Sequence, residues 1–216
     1  MKSMMLVALS LLALAACTET RFQSPPGTQI ESCDPDWKGL WVSEADSSAS
    51  EPDELAFLVD QDCRFLFLER PEKDAPPKQI HIPINFVHDR GKHYLVIADN
   101  QLAGLVDLDP VHGITPPPEK SFFLARYQRS GDRLRIFQVD SRKAARLVID
   151  KALEGTVDSS ANELHVYIKG SPREVHEMLR KQDLFEDKSD TVVKRSTLDL
   201  DEYERQRRAR RTGNPS

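Results

Sequence analysis

The 216-residue chain carries 35 acidic and 30 basic side chains, a formal charge of −5, with 39% apolar and 30% charged residues. That length and balance describe one domain with a real core and a well-solvated surface, and they exclude a disordered chain or one embedded throughout in a membrane. The acidic excess also argues against nucleic acid as the main partner.

The chain opens on Lys2 and an apolar run from Met4 to Ala16, ending Leu14-Ala15-Ala16-Cys17. A positive start, a short apolar segment and two small side chains before a cysteine are what a signal peptidase needs. A run of about 13 residues is too short to cross a ~30 Å hydrocarbon layer. The pattern resembles the lipobox of bacterial lipoproteins. The resemblance implies that residues 1–16 are a signal peptide and that Cys17 is the acylated first residue of the mature chain, held in a lipid bilayer. Thr18 stands where inner-membrane lipoproteins of enteric bacteria carry aspartate, so it further implies the periplasmic face of the outer membrane.

Residues 17–35 are polar, include Pro25-Pro26-Gly27 and lack apolar periodicity, which predicts a flexible tether that spans at most about 60 Å when extended. With Cys17 assigned to lipid, Cys33 and Cys63 are the one remaining pair in an oxidising compartment. A single bridge between them would tie this lead to a β-turn; two buried free thiols are the alternative.

A β domain is expected over residues 36–198. Short runs over 55–60, 64–69, 79–87, 93–98, 121–128 and 133–139 are separated by Asp60-Gln61-Asp62, Asp89-Arg90-Gly91-Lys92 and Ser130-Gly131-Asp132, all apt for tight turns. Ile80, Ile82, Ile84 and Phe86 alternate with His81, Pro83 and Asn85, and Pro83 predicts an edge or a bulge. The segment from Arg64 to Glu69 is apolar on both faces and reads as central. Helices are expected over 141–153, started by Asp140 or Ser141, and after Ser171-Pro172-Arg173-Glu174, a capping-box pair with proline at the first helical position. Strands are expected at 164–168 and 191–195, and residues 199–216 form a charged tail, helical or disordered. The fold class that follows is mainly β: an antiparallel barrel or strongly curved sandwich with two peripheral helices.

Gly39-Leu40-Trp41, opening the first expected strand of the domain, resembles the G-x-W motif of lipocalins. Ala125-Arg126-Tyr127, the Gly131–Leu134 turn, Leu153–Val157 and Gly170-Ser171-Pro172 are similar to segments of lipocalin-like bacterial lipoproteins. The resemblance implies that Trp41 closes one end of a barrel beneath a basic residue of the last strand, Arg195 or Lys194. Trp41 should then be buried, and Trp37, ahead of the strand, more exposed.

Catalytic patterns are sparse. No nucleophile elbow, phosphate loop or dinucleotide fingerprint occurs, and His176-Glu177 lacks the second histidine of a zinc helix, because Arg180 stands there. His88 and His93 flank a turn beside Asp89 as a conceivable metal pair; His81 and His165 read as surface residues. Trp37, Trp41, Phe57, Phe65, Phe67, Phe86, Phe122 and Phe123 either fill the core or line an apolar cavity. Arg205, Arg207, Arg208, Arg210 and Arg211 set a cationic end on an acidic body, suited to anionic lipid or an envelope protein. The expected function is a non-enzymatic, membrane-anchored binding or envelope-assembly module without metal or cofactor; the alternatives are a carrier of a small lipophilic ligand and, third, a hydrolase.

Overall fold

The computed structural model describes residues 18–43, 55–68, 79–105, 108–159, 163–189 and 191–211. The expected signal segment and Cys17 lie outside these residues.

Twelve strands and three α-helices make up the described chain: β1 Thr18–Phe22, β2 Gly39–Ser43, β3 Ala56–Val59, β4 Phe65–Leu68, β5 Gln79–Ile82, β6 Asn85–Asp89, β7 Lys92–Ala98, β8 Phe122–Ser130, β9 Arg133–Phe137, α1 Ser141–Ile149, β10 Gly155–Asp158, β11 Leu164–Ile168, α2 Pro172–Lys181, β12 Thr191–Arg195 and α3 Leu200–Arg211. The protein is mainly β. All strands join one large sheet in the order β10-β11-β1-β8-β9-β12-β2-β3-β4-β5, with β7 added to β8 and β6 to β7. Every ladder is antiparallel except β1–β11, which is parallel. The sheet is therefore mixed, not antiparallel throughout, and among the described residues no ladder between β5 and β6 closes it into a barrel.

The parallel pair draws on the first part of the stretch expected as a tether. Thr18 to Phe22 enters the sheet between β11 and β8, registering Thr18 with Leu164 and Phe22 with Ile168. Its polar side chains hide it from pattern reading, yet Glu19, Thr20 and Arg21 all find partners. Thr20 Oγ1 donates to Ser141 Oγ at 2.8 Å, and buried Arg21 pairs with Glu19, donates to the Asp109 carbonyl at 2.7 Å and covers the Phe123 ring. A buried cation is tolerated only when its donors are met in this way.

Period-2 alternation divides the apolar residues between two layers. Trp41, Phe57, Phe67, Phe86, Leu95, Ile97, Phe123 and Ala125 share one face with Trp37 and Tyr127. Their neighbours Val87, Tyr94, Val96, Phe122 and Leu124 point the other way, beneath α1 and α2. Phe122 therefore belongs to the second layer and lines nothing in the first. The all-apolar segment Phe65–Leu68 is buried along its whole length between β3 and β5, as its composition requires. The alternating run from Gln79 breaks at Pro83, which has no N–H to give a ladder; β5 pairs with β4, and β6 turns to pair with β7.

Asp140 accepts from Lys143 N to cap α1, and Ser171 and Glu174 form the expected reciprocal cap on α2. Helix α1 ends at Ile149, short of Leu153, because Lys151 turns into the left-handed region at φ 58°. The tail takes the helical of its two expected forms and adds a third helix to the two peripheral ones. Helix α3 packs Tyr203 against Leu40, Ala56, Leu66 and Leu68 on the outer side of β2–β4.

Candidate functional site: a polar cleft at one end of the sheet

The Cys33–Cys63 disulfide, with a Cα–Cα distance of 5.2 Å, fastens the segment ahead of β2 to the β3–β4 turn. Next to it, Asp34 caps a single 3-10 turn, Pro35–Trp37, by accepting from Asp36 N at 2.9 Å. Proline at the first position fixes φ and the cap satisfies a free N–H, so the turn is rigid and its last side chain is delivered inward. Trp37 is consequently 1% exposed, which corrects the expectation that it would be more exposed than Trp41 at 0%. It packs on Phe57, Phe65 and Phe86 and meets Tyr127 edge-on at 5.0 Å.

Gly39 holds φ at 118°, a conformation a side chain would strain, and Arg195 lies against it. Arg195 registers with Trp41 across the β12–β2 ladder, covers its ring at 4.7 Å and donates to the Lys38 and Asp36 carbonyls at 2.7 and 2.5 Å. Of the two basic candidates, Arg195 is the one on the indole; Lys194 turns to Asp132 at 3.4 Å. The Trp41 indole N–H donates to the Trp37 carbonyl at 2.6 Å, so the turn, the strand and the arginine form one hydrogen-bonded cap.

A polar network borders that cap. The Tyr127 hydroxyl donates to Asp34 Oδ2 at 2.7 Å; His88 places Nε2 at 2.7 Å from the same hydroxyl and Nδ1 at 3.3 Å from Glu31. Burial, reinforced by the bond to Asp34, pushes the Tyr127 phenol far above its usual range. His93 faces His88 across the hairpin, ring centroids 4.9 Å apart. Burial, and secondarily the His88 charge, lowers the His93 pKa from 6.5. Among the described residues no group of three or more His, Cys, Asp or Glu is arranged to hold a metal.

Beside this network opens a cleft of about 560 Å³. Asp34, Asp36, His93 and Tyr127 line it on the network side; Gln128, Arg129, Ser130, Arg133 and Arg135, from the β8–β9 hairpin, line the other. Asp34 and Tyr127 were not singled out as functional from the sequence. For Asp34 the signal is the run Cys33-Asp34-Pro35-Asp36-Trp37, a helix-start pattern beside a bridging cysteine; Tyr127 carries none.

The remaining candidates lie elsewhere. His176 reaches Asp89 at 2.9 Å and joins α2 to the β6–β7 hairpin. His81 is exposed, while His165 stacks on His112 at 3.7 Å. On α3, Arg205 and Arg208 pair with Glu202 and Glu204, which spends part of the cationic cluster within the helix; the side chains of Arg210 and Arg211 lie outside the described residues. No family model, curated protein or solved structure matches this chain.

His93 gives the cleft a pH signature. Its folded pKa lies below the unfolded value, so the unfolded state binds more protons and stability falls as pH drops through 6.5 toward the folded pKa. Denaturant midpoints measured from about pH 8 to about pH 5 should decline, and His93→Gln should flatten that decline. An unchanged profile in the variant would remove His93 from the acid response.

Proposed function

We propose that this chain is a lipid-anchored lipoprotein on the periplasmic face of the bacterial outer membrane whose lipocalin-like domain is a non-enzymatic module that binds at its surface. The observation that carries the reading is the contrast between inside and outside. The inner layer is filled by aromatic side chains in mutual contact, Trp37, Trp41, Phe57, Phe65, Phe67 and Phe86, whereas the roomy, polar-lined cleft lies outside it. A carrier of a small lipophilic ligand needs the opposite arrangement.

Two features support the lipocalin comparison. Only Pro83 and Ile84 separate β5 from β6. Taken as one bent strand, they complete a circuit from β2 through β3, β4, β7, β8, β9 and β12 back to β2. Arg195 on Trp41 supplies the basic residue over the tryptophan. The anchor is carried by the lipobox alone.

Cys17→Ala should leave an unprocessed precursor or a soluble species, because the thioether forms only on cysteine. Mass spectrometry that found an unacylated wild-type N-terminus downstream of Cys17 would end the anchor reading. For the surface, a photo-crosslinking residue at Gln128 should capture a defined partner from native membranes and one at exposed Glu177 should not. Equal capture at both positions, or a lipophilic molecule co-purifying one to one, would favour the carrier.

A further inference from the structure

The chain is acidic overall, with a formal charge of −5. The cleft reverses this locally: three arginines, Arg129, Arg133 and Arg135, line it with two carboxylates, Asp34 and Asp36. Both carboxylates are committed to the frame. Asp34 accepts from Asp36 N at 2.9 Å and from the Tyr127 hydroxyl at 2.7 Å, while Asp36 accepts from Arg129 at 2.6 Å. Arg135 has no carboxylate partner among the described residues. The β8–β9 ladder sets Gln128 opposite Arg135 and Ser130 opposite Arg133. Alternate residues of a strand share a face about 6.5–7 Å apart, so two guanidinium forks, an amide and a hydroxyl are presented side by side. His93, neutral above its lowered pKa, and the protonated Tyr127 add no negative charge.

We propose that this cleft is a binding site for a phosphate-type oxyanion, with Arg135 as its principal donor and Arg133, Gln128 and Ser130 completing the face. The planar guanidinium fork matches such an anion through paired, charge-assisted hydrogen bonds. The site is built before the ligand arrives: its donors stand on a hydrogen-bonded hairpin, and its opposite wall is pinned by the Cys33–Cys63 bridge. Its volume of about 560 Å³ exceeds what a bare anion needs and leaves room for the body that carries it, a small phosphorylated compound or a phosphorylated lipid headgroup. This assignment rests on the surface-binding reading and gives it a ligand class.

Calorimetric titration of the full-length chain in detergent with inorganic phosphate at low ionic strength tests it. Saturable binding is expected. Arg135→Gln with Arg133→Gln should weaken it at least tenfold, and Arg135→Gln alone should weaken it while leaving the phosphate-free melting temperature unchanged. Sodium chloride at matched ionic strength should produce no saturable signal. Absence of saturation with phosphate, or equal affinity in the double variant, would overturn the assignment. If crosslinking at Gln128 still captured its partner in that case, the surface-binding reading would stand and the oxyanion class alone would fall. The source is read separately, as retention on phosphatidylcholine vesicles containing phosphatidic acid in excess of retention on pure phosphatidylcholine. An excess that disappears in the double variant assigns the ligand to a lipid headgroup; phosphate binding without an excess assigns it to a soluble phosphorylated compound.

Discussion

Trp41→Ala should destabilise the protein by about 3 to 5 kcal/mol, the range for truncating a large aromatic side chain in a packed core. Trp41 is 0% exposed. Its removal leaves the Trp37 carbonyl without the indole donor now 2.6 Å away and takes away the ring beneath Arg195. An unmet buried carbonyl and a lost cation–π contact each push the cost toward the top of that range. Trp41→Phe should recover part of the loss, since it refills most of the volume but cannot donate. Guanidinium unfolding followed by far-UV circular dichroism measures both. A cost below about 1 kcal/mol for the alanine variant would show that the cap does not hold β12 to β2 as the geometry describes.

Breaking the Cys33–Cys63 bridge should cost roughly 3.5 to 4 kcal/mol, the chain-entropy value for a closed loop of about 30 residues. The paired variant Cys33→Ser with Cys63→Ser isolates that term without leaving a lone thiol. The bridge joins a segment that is otherwise held by the Asp34 cap, the Tyr127 bond and Arg195, so its loss should also loosen the wall of the cleft. Hydrogen exchange at Asp36 and Trp37 should rise in the paired variant more than exchange in the β8–β9 ladder. A uniform rise across the sheet would mean that the bridge acts only through the unfolded chain.

How far the sequence could be read depended on whether polar partners were local. The hairpin turns at Asp60, Asp89 and Ser130 and the cap at Ser171 are written in adjacent residues, and they form where those residues put them. The strand Thr18–Phe22 was illegible because the groups that satisfy it, Ser141 and the Asp109 carbonyl, come from distant parts of the chain. Trp37 was misjudged for a related reason. Proximity to a strand says nothing about a side chain when a capped turn intervenes and redirects it. Trp41 and Arg195 were legible as a pair only through the lipocalin comparison, since 154 positions separate them and the β12–β2 register brings them together. The cleft was hidden too, because Asp34, His93 and Tyr127 converge from three separate segments.

Strand β1 begins at Thr18, the residue directly after Cys17, and five of its positions register with parallel β11. On an acylated Cys17, any pull from the membrane would run along the axis of this strand. A ladder loaded along its strands stretches its hydrogen bonds together in shear, whereas one loaded across its strands peels them singly. The load would also reach β8, next to β1 on its other side. On the lipobox reading the mixed sheet itself, through β1, would bear tension that a flexible leash would have absorbed.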